Sequence, residues 1–116
     1  MFLPGFKIYL STCSTDLRKS YQGLSLFVQE RFKDDPFEGG MFVFYNRSHD
    51  RLKVLYWHFN GFCILQKRLE KGRFVLPKFK EEMAKLEVSS YQLQGLIQGL
   101  SCWQVQEAQS LSYRYT

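Results

Sequence analysis

The chain has 116 residues, which is enough for one domain with one hydrophobic core and too few for two. Hydrophobic residues make up 45% of it and aromatic residues 17%, so intrinsic disorder is excluded as its overall state. The formal net charge of +5 favours an acidic partner such as nucleic acid.

The start of the chain and its cysteines indicate a cytoplasmic protein. Met1 to Gly5 has no charged region or long apolar run, which argues against a signal peptide, and no later window approaches a membrane span. Cys13, Cys63 and Cys102 are odd in number and lack metal-ligand spacing. We therefore expect reduced thiols and no bound metal or other cofactor.

The first third of the chain predicts a strand followed by a helix. The strand runs from Lys7 to Leu10. Thr15 is the predicted N-cap of the helix, and Asp16 suits the positive end of the helix dipole. Pro36 disfavours helical geometry at the preceding residue and ends the helix. The apolar face has helical spacing and consists of Leu17, Tyr21, Leu24, Val28 and Phe32.

Residues 41 to 77 predict a four-stranded antiparallel meander. Asn60-Gly61 is typical of a two-residue type I′ hairpin turn, because both central residues of that turn need a positive φ. Gly72 is free to take the left-handed conformation in a later turn. The four runs are Met41 to Tyr45, Leu52 to Phe59, Phe62 to Leu69, and Arg73 to Leu76.

The predicted turn also fixes a register for the meander. Phe59 then pairs with Phe62, and Lys53 lies directly opposite Arg68. Opposed cations destabilise a bare sheet, and an anion lying across them would remove that penalty. Alternatively, both side chains extend apart into water. The other face of the sheet is predicted to pack on the core, and it carries Leu52, Val54, Tyr56, His58, Cys63, Leu65, Lys67 and Leu69.

The end of the chain predicts a short strand and a small helix. Residues 78 to 84 form a loop or a helical turn, and Leu86 to Val88 form the strand. Ser89-Ser90 caps the helix, whose apolar side consists of Leu93, Leu96, Ile97 and Leu100. The predicted fold is α+β: residues 1–103 form one domain, in which an N-terminal strand and helix pack on the antiparallel meander. The polar tail, residues 104–116, is expected to fray.

Positive charge is concentrated in the middle of the chain. Residues 47–80 contain nine cations and only Asp50 and Glu70 as acids, a net charge of +7. This exceeds the net charge of the whole chain, so the remainder is mildly acidic. A basic sheet surface is typical of a protein that contacts phosphates.

No motif in the sequence indicates catalysis. Gly39-Gly40 lacks the Lys-Ser/Thr pair of a phosphate-binding loop. Ser48-His49-Asp50 holds the residue types of a catalytic triad, but adjacent side chains in a turn point apart. A metal-dependent nuclease needs convergent carboxylates, which would require the fold to bring Asp16, Asp35 and Asp50 together. We predict no catalytic residues and no metal site.

Several strings, in order, resemble one family of bacterial proteins. They are Thr15 to Leu24, Asp35 to Phe37, Phe42 to Phe44, Asn46-Arg47, Asp50 to Trp57, Gly61-Phe62, Lys67 to Phe74, and Leu93 to Trp103. They resemble the TnpB-type accessory protein encoded by the second open reading frame of IS-sixty-six-type insertion sequences. The resemblance covers residues 6 to about 103. His58 stands where the family usually has an acid, which weakens any case for a metal there, and Ser20 replaces a usual glycine.

The resemblance implies an accessory part in DNA transposition. A separate transposase of the element is expected to cut and join strands, so this chain is expected not to be an enzyme. Its expected partners are DNA, bound without strong sequence preference, and the transposase. The alternative is a module that docks on the transposase through an apolar patch without touching DNA, and a nuclease activity of its own is the third possibility.

Candidate contact residues follow from the matched strings. The cations expected to contact phosphate or a partner are Arg18, Lys19, Arg47, Arg51, Lys53, Lys67, Arg68 and Arg73. Trp57, Phe59 and Phe62 are candidates for stacking on bases, with packing against the sheet as the alternative.

Overall fold

Five strands and two helices are present in the described part of the chain, which comprises residues 6–80, 82–101 and 103 of a computed structural model. The predicted tail, residues 104–116, lies outside it. The strands are β1 (Lys7–Ser11), β2 (Gly40–Tyr45), β3 (Arg51–His58), β4 (Gly61–Arg68) and β5 (Lys85–Val88). The helices are α1 (Tyr21–Phe27), which continues as a π-helical turn (Val28–Phe32), and α2 (Ser90–Ile97).

The five strands form one mixed sheet in the order β4-β3-β2-β1-β5. β2, β3 and β4 are antiparallel neighbours, which confirms the first three strands of the predicted meander. β1 runs parallel to β2 and antiparallel to β5. The α+β class predicted from the sequence is therefore confirmed.

Both faces of the sheet are covered. On one face, Leu52 and Val54 pack in a buried cluster with Leu93, Leu96 and Trp103, as predicted for that face. The other face is also buried, because Phe42, Phe44 and Leu55 pack in a second cluster with residues of α1 and its π-helical turn, namely Leu24, Val28 and Phe32. All six residues of β2 are buried, which is typical of a central strand covered on both sides.

Helix α1 begins later than the sequence indicates. The predicted N-cap, Thr15, is wrong: its backbone N–H donates to the carbonyl of Tyr45 (2.9 Å), which fixes it beside β2. Ser20 is the observed N-cap, and Tyr21 is 47% exposed. The π-helical turn ends at Phe32, and the positive φ of 59° at the next residue, Lys33, reverses the chain before Pro36.

The fourth predicted strand, Arg73 to Leu76, is wrong. Phe74 is buried, and its N–H donates to the carbonyl of His49 (2.7 Å). The Val75 carbonyl accepts a hydrogen bond from Trp103 Nε1 (2.6 Å). Phe74 and Leu76 pack in the core against one face of the sheet. The segment is therefore not a further strand of that sheet.

The β3–β4 turn is shifted by one residue from its predicted place. Phe59 and Asn60 are the central residues, because His58 pairs with Gly61. The positive φ lies at Phe59 (57°), as the first position of a type II′ turn requires. This register places Trp57 directly opposite Phe62, with ring centroids 4.9 Å apart in an edge-to-face contact. Each β3 residue pairs with a β4 residue two positions from its predicted partner. Because side chains alternate along a strand, every residue stays on its predicted face of the sheet.

Helix α2 begins with the predicted serine cap. Ser89 Oγ accepts a hydrogen bond from the N–H of Gln92 (3.0 Å), and Gln92 Oε1 accepts one from the N–H of Ser89 (2.9 Å). Leu93 and Leu96 are fully buried, while Leu100 is 56% exposed. Neither α2 nor α1 has the length and apolar character that a membrane-crossing helix needs.

Candidate nucleic-acid interface

A basic cleft of about 720 Å³ opens at one end of the sheet. Its walls come from three parts of the chain: the segment 14–18, the turn between β2 and β3, and the adjoining ends of β3 and β4. The cations of the cleft are Arg18, Arg47, Arg51, Lys53, Lys67 and Arg68. Asp16 is the carboxylate among its lining residues, and Ser14, Thr15, Leu17, Asn46 and Gln66 complete the lining.

The turn that presents Arg47 and Arg51 is held together by Asn46. The Oδ1 atom of Asn46 accepts hydrogen bonds from the N–H of Asp50 (3.1 Å) and of Arg51 (3.0 Å). Its Nδ2 donates to Asp50 Oδ1 (2.6 Å), and this bond is the main reason why the pKa of Asp50 lies below its ordinary value. His49 takes a positive φ of 60° to complete the turn. The side chain of one amide thus shapes one wall of the cleft.

Arg51 and Arg68 lie directly opposite each other on β3 and β4. The sequence predicts Lys53 opposite Arg68, but the shifted turn pairs Lys53 with Gln66 instead. Arg68 also contacts Glu70 at 3.4 Å, but both side chains are more than half exposed, so this pair contributes little. An anion between the two arginines would remove their repulsion, because directly opposed like charges are destabilising.

Two predicted contact residues have partners inside the protein. Lys53 Nζ donates to the carbonyls of Leu17 (2.5 Å) and Lys19 (3.4 Å), which fixes the segment that forms a cleft wall. Lys67 Nζ donates to the carbonyl of Ile97 (2.7 Å) at the C-terminal end of α2. A cation is stabilising there, because the C-terminal end of a helix carries partial negative charge. These lysines hold the walls of the cleft, and the arginines carry most of its unengaged charge.

Arg18 forms a two-pronged ion pair with Asp16. Its Nη2 lies 2.8 Å from Asp16 Oδ2, its Nε lies 3.0 Å from Oδ1, and its backbone N–H also donates to Oδ1 at 3.0 Å. These hydrogen bonds hold the pKa of Asp16 well below its usual range, and the carboxylate raises the pKa of Arg18. The Arg18 side chain stays 91% exposed, so its guanidinium still faces solvent.

Six of the eight cations chosen from the sequence therefore line one cleft. Lys19 and Arg73 do not: both are exposed outside its lining. Sequence reasoning missed Asn46 as a shaping residue, although it falls in a matched string. It also missed Thr15, whose buried hydroxyl has no hydrogen-bond partner within the described residues.

The aromatic candidates lie away from the cleft. Trp57 and Phe62 contact Phe37 with ring centroids 5.0 and 5.1 Å apart, so the three rings form a partly exposed cluster at the turn end of β3 and β4. Phe59 is 87% exposed at the tip of that turn. Across residues 6–80, 82–101 and 103, no three histidine, cysteine, aspartate or glutamate side chains are grouped so as to hold a metal ion.

Comparison with known proteins identifies the family. The chain is similar to two uncharacterized proteins of Sinorhizobium fredii. Protein y4hO is 38% identical over 101 residues, which cover 87% of this chain and 86% of y4hO. Protein y4jC is 32% identical over 96 residues, which cover 83% of this chain and 80% of y4jC. No solved structure matches the chain significantly.

A family model described as "IS66 Orf2 like protein" matches residues 6–107, a range that includes every strand and helix described above. The resemblance seen in the sequence is thereby confirmed. The chain belongs to the IS66 Orf2-like family, and this membership associates it with transposition in an accessory role.

Proposed function

We propose that the chain binds DNA through the basic cleft and thereby assists a separate transposase. One observation carries this proposal. Four arginines from three parts of the chain (Arg18, Arg47, Arg51 and Arg68) converge on one cleft, and two of them lie directly opposite each other.

A DNA phosphate suits this arrangement chemically. A guanidinium group donates two parallel hydrogen bonds to a phosphate, and its planar shape fits that geometry better than an ammonium group does. A phosphate between Arg51 and Arg68 would also remove the repulsion between them. Phosphate contacts carry no sequence information, so binding through them is tolerant of sequence and depends steeply on salt.

The same proposal assigns no strand cutting to this chain. Asp16 in the cleft lining and Asp50 in the turn beside it are already engaged, Asp16 by Arg18 and Asp50 by Asn46. Two-metal phosphoryl transfer needs carboxylates that converge on ions about 4 Å apart. We therefore expect no cleavage or joining of DNA by the purified protein in magnesium or manganese.

The proposal is tested by replacing the opposed arginines. An Arg51→Gln/Arg68→Gln variant should bind duplex DNA at least about tenfold more weakly, because hydrogen bonds to charged groups are worth about 1.5–3 kcal/mol each. Fluorescence anisotropy at several salt concentrations should also show a salt slope reduced by about 2, since about 0.9 is lost per phosphate contact. Lys71→Gln/Lys78→Gln is the matched control, because it removes two exposed positive charges outside the cleft.

Equal losses in the two variants would show that net charge, and not the cleft, governs binding.

The second candidate function is docking on the transposase, and a separate observation favours it. Tyr21 and Leu26 of α1 are 47% and 51% exposed, so that helix presents two large apolar side chains to solvent. If the transposase is retained by the tagged chain after nuclease digestion of DNA, and duplex DNA alone is not bound, docking replaces DNA binding as the function.

A further inference from the structure

The two edges of the sheet differ in length and charge. β5 has only four residues, and two of them, Lys85 and Glu87, are charged. β4 has eight residues, and the first five, Gly61 to Leu65, contain no charge and no proline. Proteins usually protect a sheet edge by making it short or charged, because a long apolar edge pairs with other strands. β4 lacks that protection over most of its length.

The outward backbone groups of β4 follow from its register. His58 and Gly61 flank the two-residue turn, so their N–H and C=O groups face each other. The hydrogen bond from the N–H of Leu69 to the carbonyl of Asp50 (2.8 Å) continues the same alternation. The intervening residues Phe62, Ile64, Gln66 and Arg68 therefore direct their N–H and C=O groups outward. No other described residue forms a hydrogen bond with these outward groups.

We propose that β4 pairs antiparallel with β4 of a second copy of this chain. One register with two-fold symmetry uses all four outward residues of both copies. It places Leu65 on the symmetry axis, Phe62 opposite Arg68 of the other copy, and Ile64 opposite Gln66 of the other copy. The two five-stranded sheets then form one continuous sheet, with the same face of each copy on the same side.

The charges along β4 favour pairing with a second copy in this antiparallel register. In this register Arg68 faces Phe62, and Lys67 faces Cys63, so no cation of one copy lies opposite a cation of the other. An in-register parallel pairing would place both cations side by side, which is destabilising between chains of net charge +5. Pairing also covers the apolar side chains of Phe62, Ile64 and Leu65, which are only partly buried in one copy.

Pairing would bring the basic cleft and the aromatic cluster together. In one copy, Phe62 and Arg68 lie at opposite ends of β4, about 20 Å apart at about 3.4 Å per residue. Across the seam, Phe62 of one copy lies beside Arg68 of the other. A role for this joined surface in binding DNA rests on the proposed function. Aromatic rings beside phosphate-binding arginines form a platform on which unpaired bases can stack. The pairing itself does not require DNA.

The mass of the full chain, measured by light scattering without DNA over a range of concentrations, tests the pairing. Gln66→Pro removes one outward N–H from an exposed position, so it should halve the measured mass and leave the circular dichroism spectrum unchanged. Glu87→Pro is the matched control at the other edge. The N–H of Thr12 donates to the Ala84 carbonyl (3.3 Å), and bonded pairs alternate along antiparallel strands. The N–H of exposed Glu87 therefore also points outward, and this variant should stay dimeric.

A cross-link tests the register and does not depend on the proline variant folding. In a chain with its three cysteines replaced by serine, Leu65→Cys should form a disulfide-linked dimer on mild oxidation. Non-hydrogen-bonded antiparallel pairs have Cα atoms about 4.5 Å apart, which suits a disulfide. Glu87→Cys in the same background should stay monomeric on a non-reducing gel.

Three results would each overturn the pairing: a wild type that is monomeric at all concentrations, a folded Gln66→Pro variant that remains dimeric, or a Leu65→Cys chain that does not cross-link. These measurements contain no DNA, so their failure leaves the DNA-binding proposal intact. Conversely, loss of DNA binding by Arg51→Gln/Arg68→Gln can be measured whether or not the chain dimerises.

Discussion

At the scale of single residues, Asn46 and Asp50 determine how the cleft is presented. Asn46 accepts two backbone hydrogen bonds and donates one to the Asp50 carboxylate, which fixes the turn that carries Arg47 and Arg51. The shape of the cleft thus depends on an uncharged side chain, that of Asn46.

The lowered pKa of Asp50 predicts a specific pH dependence of stability. Because the folded pKa lies below the ordinary value of 3.8, the ionised carboxylate stabilises the fold above about pH 4. That contribution is lost as the pH falls through the folded pKa. The difference in melting temperature between wild type and Asp50→Asn should therefore be constant above about pH 5 and shrink below about pH 4. A difference that grows on acidification would contradict this role of the carboxylate.

The sequence predicted which cations belong to the site, but it did not predict which of them bind other groups of the protein. The matched strings selected six of the cleft cations, yet nothing in the sequence shows that segment 14–18 returns to the ends of β3 and β4. Lys53 and Lys67 bind the Leu17 and Ile97 carbonyls. Each of those contacts spans 30 or more positions along the chain, so local pattern cannot reveal it.

At the scale of elements, the β3–β4 hairpin shows how a tertiary preference overrides a turn motif. Asn60-Gly61 is a strong local signal, but the turn moves by one residue, and the edge-to-face pair of Trp57 and Phe62 forms instead. The strands survive this shift, because their alternating pattern is independent of where the turn falls. The predicted register does not survive, and Arg51 replaces Lys53 as the residue opposite Arg68.

The shifted turn makes a testable contrast between two substitutions. Phe59→Gly should raise the free energy of unfolding by about 1 kcal/mol, because glycine accepts the positive φ of 57° that strains phenylalanine. Gly61→Val should change it by less than about 0.5 kcal/mol, because Gly61 has ordinary strand geometry and open space where a side chain would begin. Urea denaturation of both variants measures the contrast.

The opposite ranking, with Phe59→Gly neutral and Gly61→Val destabilising, would place the turn at Asn60-Gly61 after all.

Two other elements also differ from their predicted form because of tertiary contacts. Arg73 to Leu76 has strand-like composition, but Phe74 is buried in the core and its N–H donates to the carbonyl of His49 in a turn. Helix α1 starts late because Thr15 is held to Tyr45 of β2.

At the scale of the whole molecule, both faces of the sheet are covered, so its ends and edges are the parts left for partners. The basic cleft occupies one end, and the unprotected strand β4 forms one edge. The proposed DNA contact and the proposed pairing with a second copy therefore use different parts of the sheet, the end that carries the cleft and the edge strand β4.

The transposition frequency of a marked element tests the role of the cleft most directly. The reading frame for this chain is deleted from the element and resupplied as wild type or as a variant. Arg51→Gln/Arg68→Gln should leave the frequency at the level of the deletion, while the charge-matched Lys71→Gln/Lys78→Gln should restore it. Asp35→Asn should restore it as well, because this carboxylate lies outside the cleft lining and is not needed for cutting. Full rescue by the cleft variant, or failure of a folded asparagine variant together with metal-dependent nicking by wild type, would contradict an accessory role exerted through the basic cleft.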